Sequence, residues 1–449
     1  MMHEENHEPN DQELLQLEAM KGHIDQLVVP AGIEGAIRSG IRHGRRRKQR
    51  RMIMRLTSFT MCLLLIASVA SIRFSPVVAA YVGDIPGLRS LVELIHYDKG
   101  LKLALENDFM QPVGLSEEYD GIKLTVDGIV VDESRMIVFY TLTNTDGRKR
   151  VINLRNVNLV NNDGGSSSYG SSDFSENWDS KQGTIDFTWQ EGNVIPDTLD
   201  LEIKLGKDNE TAALNDVWRF VIPVDKIKFE GMKETYDINQ TVTIEKQLIT
   251  FETMTIYPTR IGVEVTYDAS NTKKLFSFDD IRIEDENGES FGSIMNGVSA
   301  TIIDDNRIVL YFESNYFRKP DQLYLRASSI RALDKSKLEV QVDLDSKQLL
   351  SRPDERLTLE HWGISKEYDQ EVLAFRLEND DQMDQNFQYH LFSSNYKDAS
   401  GQSFDSNRTG SSPNEFQYYL QETDYSSPIT LTVSDYPSRI YGDINLRIK

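Results

Sequence analysis

The chain has 449 residues, 49 Lys plus Arg against 71 Asp plus Glu, and a formal net charge of −22. At roughly 100–200 residues per domain, this length holds two to four domains. A hydrophobic content of 39% with 9% aromatic residues is enough for packed cores and excludes global disorder. Evenly spread acidity would repel nucleic acid and anionic lipid. The charge is not evenly spread.

Residues 1–55 carry ten basic and eight acidic side chains, so this piece is +2 and the remainder −24. In segment 1–50, Asn10 ahead of Asp11, Gln12 and Glu13 is close to a capping box. Leu14, Leu17, Ile24 and Leu27 recur at helical spacing up to Pro30, and Ile33, Ile37 and Ile41 follow at intervals of four. Gly32, Gly35, Gly40 and Gly44 weaken the second piece in isolation. Pieces this short do not bury their apolar faces against each other. They are expected to fold onto a protein partner, helix in groove. The alternative is a loose tail resting on the inner leaflet.

A basic block of Arg45, Arg46, Arg47, Lys48, Arg50 and Arg51 leads into residues 51–74, which read as a transmembrane helix. Leu56 to Ile72 are 17 residues without a charge. They reach about 26 Å, near the lower limit for a bilayer core. Arg55 and Arg73 can snorkel to the interfaces. Basic residues stay on the cytoplasmic side, so the N-terminus is inside and the C-terminal region outside. Val78, Ala79 and Ala80 resemble a cleavage site, but a charged leader of this length is far longer than an ordinary n-region, so a signal anchor is preferred. The lipid bilayer is thus one partner, and the basic block is topogenic, with no direct nucleic-acid contact expected. The only cysteine, Cys62, lies in the span. The exterior has no disulfide and no thiolate metal site, which suits a bacterial surface.

Residues 75–112 read as a juxtamembrane helical collar. Asp84 can cap, Pro86 fits a first turn, and Leu88, Leu91, Val92 and Ile95 make a stripe. Gly100 is expected to break this helix, with Leu101 to Phe109 continuing as a second.

Ser75 to Tyr81, Ile85 to Leu88, Leu91 to Ile95, and the earlier Val29, Pro30, Ile33, Ile37, Gly40 and Ile41 carry a resemblance. They resemble a family of single-pass Gram-positive membrane proteins holding the domain of unknown function numbered forty-one seventy-nine. The resemblance spans roughly residues 24–150. The stretch 225–345 is similar to a second uncharacterised domain that often accompanies it. Members look like anti-sigma factors, so the resemblance implies a sigma factor of the extracytoplasmic-function class as cytoplasmic partner. The segment lacks the zinc-binding His-Cys-Cys arrangement of many bacterial anti-sigma domains.

From Gly121 onward β patterns dominate. Gly121–Asn144, Thr241–Ser270 and Arg356–Asp380 share one plan: a Thr-bearing strand, a polar turn, and an alternating strand ending at Asn or Asp. The blocks also close alike. Asp200–Leu205 precedes Trp218–Val224, Leu323–Leu325 precedes Leu338–Leu344, and Ile429–Val433 precedes Ile444–Ile448. The expected fold is mainly β: tandem antiparallel immunoglobulin-like β-sandwiches at 113–225, 226–345 and 346–449. Ser/Gly-rich Asn161–Gly183 reads as a mobile loop in the first.

No nucleophile elbow, His-Glu-x-x-His or phosphate loop is present. His96, His361 and His390 have no motif around them. Asp285 to Gly288 reads as a hairpin turn rather than a calcium loop, and Glu378 to Asp384 lacks EF-hand spacing. No catalytic residue, metal or cofactor is expected, and the chain is read as a non-enzyme. The functional expectation is an anti-sigma-factor-like regulator whose exterior senses the envelope. The rival is an N-terminally anchored surface structural or adhesion protein. Either exterior would meet a cell-wall or protein ligand.

Overall fold

The computed structural model describes residues 15–22 without 17, and residues 94–449 without 96, 162–164, 170–175, 190–194, 208–215, 295–298, 380–383, 385–386, 388, 407, 413 and 422–423. Residues 1–81 and 82–449 are separate compact units. In the first, the described residues are helical, and Leu15 and Met20 are exposed. Leu14, Leu17, Ile24, Leu27, Ile33, Ile37, Ile41, the basic block and the apolar span all lie outside the described residues. Among the described residues no helix is long and apolar enough to cross a membrane.

The second compact unit is mainly β, built of several antiparallel sheets. Near the start of its described residues stands a helix, α1 (Lys99–Glu106), whose cap Asp98 accepts from the Leu101 N–H at 2.8 Å. It lies near the second helix expected at Leu101–Phe109, with Gly100 in its first turn; the stripe Leu88, Leu91 and Val92 of the helix expected before it lies outside the described residues. A Cβ there would come within 2.4 Å of the Ser314 backbone nitrogen, so the glycine serves close approach.

In the first β unit, β1 (Gln111–Tyr119), β2 (Ile122–Val131), β3 (Arg135–Asn144), β5 (Gly165–Tyr169) and β6 (Ser180–Trp189) form a sheet ordered β1-β2-β3-β6-β5. Strands β4 (Ile152–Leu159), β7 (Thr198–Lys207) and β8 (Trp218–Pro223) form the second sheet. Alternating Ile122, Leu124 and Val126 share one core with Leu199, Leu201 and Ile203, and α1 joins it through Leu101, Ala104 and Leu105. The Ser/Gly-rich stretch is not one loop. It holds β5, paired to β6 by backbone from Gly165↔Trp189 to Tyr169↔Ile185, which needs no apolar alternation.

The second unit opens with β9 (Glu234–Ile244), β10 (Gln247–Ile256) and β11 (Arg260–Tyr267), continued by β15 (Ser299–Ile302) and β16 (Arg307–Glu313) in the order β15-β16-β11-β10-β9. Its other sheet holds β12 (Lys273–Phe278), β13 (Arg282–Asp285), β14 (Ser290–Phe291) and the long β17 (Leu323–Asp334). The Asp285 turn is a hairpin: its carboxylate accepts from the Asn287 and Glu289 N–H groups, both at 2.8 Å, and Gly288 takes φ +78°.

The third unit has one sheet of β20 (Leu357–Ser365), β21 (Gln370–Leu377), β25 (Glu415–Tyr419) and β24 (Thr409–Ser412). The other contains β18 (Glu339–Asp343), β19 (Gln348–Ser351), β22 (Phe392–Lys397), β23 (Ser403–Asp405) and β26 (Ile429–Val433). The last strand, β27 (Arg439–Arg447), does not close this unit. It pairs with β17, with Leu325↔Leu446 and Ile330↔Ile440 in register. Conversely β18 pairs with β26, with Val340↔Leu431. Val340 and Val342 lie in the third core, Ile440 and Ile444 in the second.

The closing strands of the second and third units are therefore exchanged. The sequence repeat assigns Leu338–Leu344 to the second block and Ile444–Ile448 to the third; both belong to the other. Neither link carries the Asn-Gly or Asp-Gly of a tight hairpin. Lys335–Lys337 form a 3₁₀ turn, and Pro437 sits in the second link. Each closing strand is thus led away from its sequence neighbour.

Deleting residues 439–449 should raise hydrogen exchange across β17 and leave β26 protected. Loss of protection in β26 with β17 unchanged would refute the exchange.

Candidate functional site at the junctions of the β units

Two buried ionic junctions order the described structure. The first joins α1, the β2–β3 turn and the turn before β11. Asp132 is 1% exposed. Its Oδ1 accepts from Ser134 N–H at 2.8 Å, Ser134 Oγ at 2.6 Å and Arg135 N–H at 3.0 Å. Its Oδ2 accepts from Thr259 of the second unit, N–H at 2.9 Å and Oγ1 at 2.5 Å. Arg260 returns the contact, its Nε donating to Ser134 Oγ at 3.0 Å and its guanidinium to the Ser134 carbonyl. Arg135 donates to Asp98, the helix cap, and stands 3.5 Å from Asp186. Lys99 N–H donates to Glu313 at 3.0 Å.

Charge balance explains these pairings. Burial works against the Arg135 charge, but Asp98 and Asp186 hold the guanidinium protonated well above its ordinary value. Burial pushes the Asp186 carboxyl up, against the pull of Arg135. Asp132 needs no cation in direct contact, because five donors satisfy its oxygens.

The second junction lies where the exchanged strands cross. Arg439, the first residue of β27, meets Asp279 at 2.9 Å and Asp384 at 2.5 Å. Arg331 of β17 meets Asp435 at 2.9 Å and Asp279 at 3.5 Å. Tyr389 also donates to Asp384. Burial pushes Asp384 up, but the hydrogen bonds from Arg439 and Tyr389 outweigh it and leave the carboxyl below its usual range. Burial raises Asp435 in spite of Arg331.

The acidic run ending at Asp384 thus supplies a strand-crossing contact. His361 and His390 are exposed, and His96 lies outside the described residues. The junction residues form no catalytic or metal-binding motif in the sequence. One signal is present: Arg135, Arg260 and Arg439 each open a strand with an apolar face, where a buried charge is out of place unless it has partners.

Replacing Arg135 by Met leaves Asp98 buried without its cation and should cost about 3–5 kcal/mol. Adding Asp98→Asn should recover part of that loss. The urea midpoint by tryptophan fluorescence reports it, since Trp178, Trp189 and Trp218 lie in the first core. A depressed carboxyl stabilises the fold above its unfolded value and loses that contribution as pH falls through the folded one. Asp384→Asn should therefore flatten the acid loss of protection in β26 and β27 below about pH 4, read by hydrogen exchange. Asp435, raised by burial, has the opposite sign: its contribution is lost as pH rises through its folded value.

No curated protein matches the chain in sequence. Among solved structures it is similar to the crystal structure of the conserved domain protein from Bacillus anthracis, at 14% identity and a TM-score of 0.38, over 54% of this chain and 84% of that one. Two family models match: a domain of unknown function, DUF4179, at residues 48–144, and a family of unknown function, DUF5643, at residues 233–360. The first match runs from the basic block through α1 to the end of β3, which contains Asp98, Asp132 and Arg135. The second contains Thr259, Arg260, Asp279 and Arg331. The Val29 to Ile41 pattern lies upstream of the first match. The chain carries a DUF4179 domain followed by a DUF5643 domain, and the first junction is the contact between them.

Proposed function

We propose that this chain is a single-pass membrane regulator of the anti-sigma-factor type. Residues 1–50 bind a sigma factor of the extracytoplasmic-function class inside the cell, and the β units sense the envelope outside. The observation that carries this reading is the short amphipathic pattern set directly before a basic block and an uncharged stretch of 17 residues. The order of DUF4179 and DUF5643 domains supports it. The first junction adds a physical route: helix α1, downstream of the span, shares one buried network with two β units. Each β unit is an immunoglobulin-like sandwich of constant-type order in this reading. The strand orders of the first, β2-β3-β6-β5 and β4-β7-β8, support it, since an ABED and CFG pair of sheets would run so.

The second reading, an anchored structural or adhesion protein, is favoured by the strand exchange, because interlocked units make a stiff spacer. In neither reading is the chain an enzyme.

A pull-down from the native host with residues 1–50 should recover a sigma factor, and Leu14→Asp with Leu17→Asp should abolish recovery. Recovery of none, with unchanged transcription on deleting 1–50, would favour the structural reading.

A further inference from the structure

The outer face of β11 borders a cleft of about 380 Å³, walled on one side by the Ser134 turn of the first unit. Arg260, Gly262 and Glu264 occupy alternate positions on this strand, so they share a face, and all three line the cleft. Arg260 is 4% exposed. It donates to Ser134 and lies 3.7 Å over the Tyr311 ring, yet no carboxylate stands within 4.0 Å of it among the described residues. Hydroxyl and carbonyl acceptors satisfy its N–H groups, but burial holds the guanidinium below its ordinary value, outweighing Asp132 and Asp186, which favour its charge from beyond 4.0 Å. Glu264 accepts from Thr253 Oγ1 at 3.2 Å and likewise has no Lys or Arg within 4.0 Å among the described residues. The other charged walls are spoken for: Glu133 by Lys233 at 2.5 Å and Arg307 by Asp304 at 2.8 Å.

The cleft therefore has one cationic and one anionic pole. Four residues along a strand separate them by about 13 Å between Cα positions. Gly262 makes the floor between them. A Cβ there would meet Val309 Cγ1 at 3.3 Å and the Tyr311 ring at 3.5 Å, so bare backbone leaves room that any side chain would take. Trp189, whose indole N–H has no acceptor among the described residues, is part of the wall.

We propose that this cleft binds a short peptide with free termini, about four residues long in extended form, its carboxylate at Arg260 and its α-ammonium at Glu264. An extended chain of that length spans about 13–14 Å. The volume falls within the range of about 300–1,000 Å³ usual for ligand sites. A bare anion would leave Glu264 unpaired, and a bare cation would leave Arg260 unpaired. A ligand of zero net charge is also unaffected by the overall charge of −22. The assignment does not rest on the sigma-factor reading, which residues 1–50 test separately.

The test is calorimetric titration of the full chain in detergent with L-tetra-alanine, its N-acetyl form and its C-terminal amide. Free tetra-alanine should bind about tenfold more tightly than either blocked form. Glu264→Gln should remove the preference for a free amine and keep that for a free carboxylate. Equal affinity for free and blocked peptides, no binding of the free peptide at millimolar concentration, or a Glu264→Gln variant that still prefers the free amine overturns the proposal.

Discussion

Both oxygens of the Asp132 carboxylate are committed, one to its own turn and one to Thr259 of the next unit. Arg135, held by the same turn, reaches back to Asp98, which caps α1. Helix, first unit and second unit consequently share a single set of buried hydrogen bonds. Such networks are costly when half satisfied, because the local dielectric is low. Displacing α1 alone would take Asp98 from Arg135, and shifting the second unit alone would leave one Asp132 oxygen without its donors. The three pieces move together or a buried charge loses its partner. Buried ionic groups are weak contributors to net stability, since well-packed apolar replacements often do as well. Their consequence here is a defined register between elements that few apolar contacts would orient.

The strand exchange applies the same logic with backbone hydrogen bonds. The third unit is inserted between β17 and β27, so both of its links run to the second unit. A single flexible linker between them would allow swivelling. Two crossings, with Arg331 and Arg439 bridging Asp279, Asp384 and Asp435, do not. The chain also ends beside the second unit, where Leu323 N–H donates to the Lys449 carbonyl at 3.3 Å. The stiffness of this region comes from topology rather than from a larger core.

Much of the fold was legible because side-chain alternation is local. Ile122, Leu124 and Val126, or Val340 and Val342, declare which face is buried from their own spacing. The Asp285 hairpin was legible for a similar reason: one carboxylate caps its own turn. The second use of Gly100 was not legible, because only the position of Ser314, far along the chain, shows that the glycine admits a neighbour. The junction residues were hidden because Asp132 and Thr259 are 127 residues apart, and no local pattern links them.

The sequence by itself determined where strands lie, which faces are apolar, how charge divides along the chain and which family domains follow one another. Those properties depend on neighbours within a few residues. The tertiary structure decided which strand closes which unit and which charges meet. An alternating strand fits any open edge of suitable polarity, so its partner is chosen by chain path and core shape. The exchange of β18 and β27 is that choice, and a period of two residues carries no information about it.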